Sequence, residues 1–193
     1  MSLTDAIRTL REAMDSAGII QENGLGTELF HFASTLAPVV NVDLLLLDGD
    51  GRVLLSWRDD RHDQRGWHIP GSCIRFRETL DESIRRCAMS EVGVNVTHSA
   101  EPIRVYEFHW RTPREGLPDQ RERAHFITLV YACRLPADFD VMGQDRQPGM
   151  PGYLQWFDEL PADLVPIQER YRQDWTLLME RISKIKSENG GEH

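Results

Sequence analysis

The sequence predicts an α+β fold, a mixed sheet flanked by helices, and three stretches predict it. Val39–Leu47, VVNVDLLLL, is a nearly continuous apolar run of the kind that makes a central strand. Thr79–Gly93 reads as a capped helix that follows a strand and a tight loop. Ile167–Ile185 reads as a closing helix, with Tyr171, Trp175, Leu178, Ile182 and Ile185 on one face.

In chain order, Leu3–Ala17 carries Ile7, Leu10, Met14 and Ala17 at helical spacing, with charges between them. Gly18 is its stop, a second helical stretch lies within Leu25–Leu36, and Pro38 ends it. Residues 1–36 are therefore read as an N-terminal helical extension, a packing or dimer-contact element, before a main domain at 37–187. Asp43 interrupts the central strand, and a carboxylate there needs a partner or a function. Asp48-Gly49-Asp50-Gly51 is a turn and Arg52–Trp57 the returning strand, which predicts a hairpin. Arg58–Arg65 is polar and loop-like, with arginines at 58, 61 and 65. Trp67–Pro70 is a short strand feeding the next helix.

In that helix Thr79 and Glu82 form a capping box, so the helix starts near Leu80, and Gly93 stops it. Leu80, Ile84 and Ala88 make the expected buried stripe. At about 100° per residue, Arg86, Cys87, Ser90 and Glu91 share another sector, facing the preceding loop. Val105–Arg111 and His125–Leu135 read as strands joined by the Arg-, Pro- and Gly-bearing segment Thr112–Ala124, a candidate lid. Met142–Gly152 is a second loop, Tyr153–Phe157 a strand, and 188–193 a flexible tail.

Composition excludes several function classes. With 193 residues, 40% apolar and 27% charged, the chain is a globular domain rather than a disordered one. The net charge of -9 argues against nucleic-acid and acidic-membrane partners. It leaves room for an anionic nucleotide, because local arginines and a cation reverse the field in a cleft. Three cysteines without C-x-x-C spacing point to a reducing compartment and no zinc site. No signal peptide or membrane-spanning apolar run is present, and the expected location is the cytoplasm.

The stretch PGSCIRFRETLDESIRRCAMSEVGV, Pro70–Val94, resembles the Nudix box. Glu78, Arg86, Glu91, Gly93 and Val94 fall at its matching places, and Ser72 sits where its opening glycine belongs. Cys87 and Ser90 replace two metal-binding glutamates. Glu78-Thr79-Leu80, Arg86, Met89 and Glu91 are most similar to the GDP-mannose mannosyl hydrolase branch. Asp43 and Arg58 lie upstream at that branch's spacing, and His125-Phe126-Ile127 resembles its His-Tyr-Val strand.

The resemblance implies the Nudix α/β/α sandwich with a mixed sheet. It implies one Mg²⁺, replaceable by Mn²⁺, on Glu91, the Ser72 carbonyl and Gln147, with Glu78 bracing the loop. Arg58 and Arg86 would contact the diphosphate, and Asp43 and His125 would complete the substrate site. The branch's metal-site Gln-His pair has no His counterpart in Met142–Gly152, so His68, His109 and His125 become candidate bases. A second branch arginine is replaced by Cys73, for which Arg75 or Arg77 are candidate substitutes.

The expected function is Mg²⁺-dependent hydrolysis of a GDP-mannose-like nucleoside diphosphate sugar, by a homodimer, with water attacking the anomeric carbon. Ordinary phosphoanhydride cleavage is one alternative. A non-catalytic nucleotide-sugar-binding module is the other, favoured by the missing carboxylates and opposed by Glu91, Arg86 and Arg58.

Overall fold

A computed structural model describes residues 1–19, 23–60, 64–109 and 125–189. Its helices are α1 (Leu3–Ser16), α2 (Thr27–Ser34), α3 (Leu80–Glu91), α4 (Glu169–Gln173) and α5 (Trp175–Asn189). Its strands are β1 (Val39–Leu46), β2 (Val53–Asp60), β3 (Gln64–His68), β4 (Gly71–Cys73), β5 (Thr97–His98), β6 (Arg104–His109), β7 (His125–Arg134) and β8 (Leu154–Phe157). Arg61, Trp110 and the candidate lid Thr112–Ala124 lie outside the described residues. No helix among the described residues is long and apolar enough to cross a membrane.

The apolar run that predicts a central strand becomes β1. It pairs in parallel with β7 along its whole length and antiparallel with β4 at Asn41–Asp43. β5 and β6 both pair antiparallel with β7 and complete a mixed first sheet. The second sheet is antiparallel, in the order β3-β2-β8.

The predicted β1–β2 hairpin does not form. Pairing stops at the turn, with Gly51 N–H on Asp48 O, Asp48 N–H on Arg52 O and the one bridge from Leu47 to Val53. β1 has β7 on one edge and β4 on the other, and Leu44 N–H bonds Pro70 O beyond β4. With both edges occupied, β2 turns out of the plane and starts the second sheet. The polar stretch after Trp57 is likewise not a loop throughout. Arg58 lies opposite Gly66 and Asp59 opposite Arg65 in the β2–β3 ladder.

Alternation along β1 divides the interior in two. Leu45 and Leu47 pack with Val53, Leu55 and Trp67 of the second sheet and with Tyr171, Leu178 and Ile182. Val42, Leu44 and Leu46 pack with Ile84, Cys87 and Ala88 of α3. Leu80, expected in this stripe, is instead exposed at the first turn, and Cys87 takes the buried position. The capping box holds: Thr79 and Glu82 exchange side-chain-to-backbone bonds of 2.8 and 3.2 Å. Gly93, at φ 82°, ends the helix in the left-handed region.

The closing helix is interrupted. A 3-10 turn at Pro166–Gln168 leads into α4, and Asp174 separates α4 from α5. Leu178 N–H bonds Asp174 O, so the helical path continues across the break to Asn189. That end lies inside the stretch expected to be tail. At the other end, α1 has a Ser2–Asp5 capping box and buries none of its residues.

Candidate active site

The first sheet, the β2–β3 hairpin and the 3-10 turn enclose a polar cavity of about 100 Å³. Asn41, Asp43, Arg58, His68, Ser72 and Gln168 are among its lining residues. Pockets that enclose whole organic ligands run to roughly 300–1,000 Å³. This cavity, as built by the described residues, takes an ion or the edge of a larger ligand.

Asp43 is its buried acid, 7% exposed. Tyr171, wholly buried, donates its hydroxyl hydrogen to Asp43 Oδ2 at 2.5 Å. Burial pushes the Asp43 pKa up to about 7, against the opposing pull of the Tyr171 bond and the Arg58 charge. Gly71 is required beside it, since a Cβ there would meet Asp43 Oδ1 at 2.2 Å. Gln168 clamps the strand entering β4, accepting from Ile69 N at 2.7 Å and donating to Ile69 O at 3.1 Å.

Glu91, on the last residue of α3, faces His68. Burial works to raise its pKa, yet His68, Arg58 and Arg146 together hold it below the usual carboxylate value. His68 Nδ1 lies 2.8 Å from the Ser56 carbonyl, which can only accept, so Nδ1 carries the ring proton. Burial holds the His68 pKa below its ordinary value and favours the neutral ring. Nε2 then offers a lone pair, has no hydrogen-bond partner, and lies 3.6 Å from Glu91 Oε2.

Arg86 has a different occupation from the one expected. Its Nε and Nη2 donate to the two oxygens of Glu78 at 2.6 and 2.8 Å. Nη2 also reaches Cys73 O at 2.8 Å and Nη1 reaches Ser72 Oγ at 3.3 Å. The fork thus fixes the loop to α3 rather than pointing outward. The Arg86 bond holds Glu78 down to about 2, and Glu78 also accepts from Arg75 N at 2.9 Å. Glu78 therefore braces loop and helix.

His125 is not brought to the cavity. Its neighbours Phe126 and Thr128 line it, so alternation along β7 turns His125 to the other face. There it meets Glu107 at 3.1 Å and stacks edgewise on His109. Gln147 is exposed in a turn closed by Met150 N–H to Gln147 O, and it does not line the cavity. From the same loop it is Arg146 whose charge acts on Glu91. Cys87 is buried in the core with its thiol pushed up to about 12 by that burial, so it packs as a small apolar side chain. Arg75 lies against Gly24 and Arg77 over the Phe76 ring, and neither lines the cavity. Trp57 and Trp67 stack edge to face within the core at 5.2 Å.

Sequence reasoning therefore places Asp43, Arg58 and Ser72 at one cavity, with Glu91 beside it through His68. It misses Tyr171, Gln168 and Arg146, and the facing of His68 and Glu91. Tyr171 registers in the sequence only as one residue of an apolar helix face.

No group of three His, Cys, Asp or Glu side chains among the described residues forms a ready metal cage. One ionised carboxylate facing an unpartnered imidazole nitrogen nevertheless fits a divalent cation whose other ligands come from phosphate and water.

Comparison with known proteins agrees with this architecture. The chain is 29% identical over 134 residues to the low-salt glycan biosynthesis protein Agl8 of Haloferax volcanii, covering 69% of this chain and 80% of that protein. A candidate asymmetric diadenosine tetraphosphate hydrolase from Jonesia denitrificans superposes with a TM-score of 0.55 at 20% identity, over 76% of this chain and 97% of that one. A UDP-X diphosphatase superposes with a TM-score of 0.53 at 16% identity, over 93% and 80%. At these identities the two structures attest the fold alone. The model of the NUDIX domain matches residues 37–173, most of the chain, and the protein belongs to the NUDIX family.

Proposed function

We propose that the protein hydrolyses a nucleoside diphosphate sugar of the GDP-mannose type, with Mg²⁺ or Mn²⁺ bound, releasing the free sugar and the nucleoside diphosphate. The observation that carries the reading is the donor set. A single helix carboxylate, Glu91, stands beside a cavity that also holds Asp43 and Arg58. The likeness to a glycan biosynthesis protein supports a sugar nucleotide.

In this reading Arg58 binds the diphosphate, and Glu91 with the Ser72 carbonyl would hold the cation. When bound, the cation neutralises charge on the departing diphosphate. Asp43 takes the proton of the attacking water, because its pKa of about 7 matches that of a base working near neutrality. Tyr171 orients Asp43, and the Arg86–Glu78 brace keeps the loop that carries Ser72 against α3. Cations around a diphosphate suit a leaving group, so water attacks carbon. The reading includes a cytoplasmic homodimer.

Purified protein with Mg²⁺ and a panel of nucleotide sugars tests it by product identification. Free sugar with nucleoside diphosphate is expected. Sugar phosphate with nucleoside monophosphate would replace it with phosphoanhydride cleavage. Binding without turnover would make the protein a sensor.

A further inference from the structure

Among the described residues, the buried Nε2 of His68 is one of several polar atoms without a hydrogen-bond partner, Asn41 Oδ1 of the same cavity being another. Nε2 is an acceptor without a donor in a side chain only 4% exposed, and such an atom is costly to bury unless something occupies it. The atom facing it, Glu91 Oε2, is another acceptor. A proton shared between imidazolium and carboxylate would draw the two to about 2.7–2.9 Å. The observed 3.6 Å is longer than that. It is near the separation of two ligands on one cation. Bonds of about 2.0–2.2 Å place two adjacent donor atoms about 3.3–3.6 Å apart at a tetrahedral angle and about 2.8–3.1 Å apart at an octahedral one, so a tetrahedral ion fits the pair as it stands and an octahedral one draws it closer.

The other ring nitrogen points the same way. Metal-bound histidines commonly give their second N–H to a carbonyl, which fixes tautomer and ring plane. His68 Nδ1 does this with Ser56 O, its opposite number in the β2–β3 ladder. The lone pair is thus oriented by the sheet before any cation arrives.

We propose that His68 Nε2 is a nitrogen ligand of the divalent cation held by Glu91, so that the site prefers a transition-metal ion, Mn²⁺ included, to Mg²⁺. The proposal rests on the reading that Glu91 carries the cation. Mg²⁺ favours an all-oxygen shell, imidazole suits Zn²⁺, Fe²⁺ and Ni²⁺ best, and Mn²⁺, mainly an oxygen binder, takes a nitrogen ligand more readily than Mg²⁺ does. Arg58 and Arg146 place positive charge beside Glu91, and two side chains with one carbonyl make a weak site. The cation therefore binds together with a diphosphate, whose oxygens supply charge and further ligands.

Pulsed electron paramagnetic resonance of Mn²⁺ in the full-length protein tests this, with inorganic pyrophosphate as the nitrogen-free co-ligand. The wild type should show coupling to a directly bound imidazole nitrogen, and [¹⁵N]histidine labelling should change that coupling without altering the fold. His68→Gln should abolish it and weaken Mn²⁺ binding about tenfold, with a smaller effect on Mg²⁺. Bound Mn²⁺ without histidine coupling in the wild type overturns the proposal and leaves the cation on Glu91 intact. Coupling that persists in His68→Gln also overturns it. Failure of Mn²⁺ to bind with pyrophosphate overturns both the proposal and the cation reading.

Discussion

Tyr171 donates its hydroxyl hydrogen to Asp43 at 2.5 Å, joining residues 128 positions apart and tying the closing helical segment to the cavity floor. Tyr171→Phe keeps the ring and removes the donor. The ionised carboxylate then loses its support, so the Asp43 pKa rises further. Urea unfolding should show a loss of about 1–3 kcal/mol at pH 8, and less at pH 5, where Asp43 is protonated.

The Asp43 pKa also fixes a pH dependence. Its folded value of about 7 lies above the ordinary 3.8. Its favourable contribution to stability is therefore complete below about pH 4 and is lost as pH rises through 7. Asp43→Asn should flatten that part of the stability profile. As the base, Asp43 works ionised, so kcat/KM should rise with pH and level off above 7. The Asn variant should lose that limb along with most of its turnover.

Arg86→Lys keeps the charge and loses the fork. With Nε and Nη2 both on Glu78, the change should cost about 1.5–3 kcal/mol of stability at pH 7. Glu78, held down to about 2, contributes stability above its ordinary 4.5 and loses it as pH falls toward 2. Wild type and variant should therefore converge in acid. An unchanged urea midpoint at pH 7 would return Arg86 to the diphosphate.

Arg58 lines the cavity and acts electrostatically on Asp43, His68 and Glu91. Arg58→Lys should weaken nucleoside diphosphate binding about tenfold by calorimetry, because an ammonium cannot clasp two phosphate oxygens. Affinity equal to wild type would place the diphosphate elsewhere.

Glu91→Gln removes charge at nearly constant shape. Calorimetric binding of Mg²⁺ or Mn²⁺ in the presence of nucleoside diphosphate should fall markedly. Glu82→Gln keeps the capping-box oxygen but removes a negative charge from the first turn of α3, so it should lower thermal stability slightly and leave cation binding unchanged.

Much of the fold is legible because its signals are local. The apolar run of β1 and the Thr79–Glu82 capping box each specify an element within a few residues. The β1–β2 hairpin fails because edge occupancy by β4 and β7 is decided by residues far along the chain. The two-residue β5 is too short to carry a period. At the site, family spacing brings out Asp43, Arg58, Ser72 and Glu91. His125 misleads because one step along β7 exchanges the cavity face for the opposite one. Arg86 misleads because a guanidinium suited to phosphate is equally suited to the Glu78 carboxylate. The Tyr171–Asp43 and His68–Glu91 relationships exist only once the elements are packed.

Attack at carbon puts the entering water oxygen on the sugar, and hydrolysis of GDP-mannose in ¹⁸O-labelled water follows that oxygen. Mass spectrometry of the products should find the label in free mannose and none in GDP. Label in a phosphate product would contradict the account and assign the enzyme to phosphoanhydride cleavage.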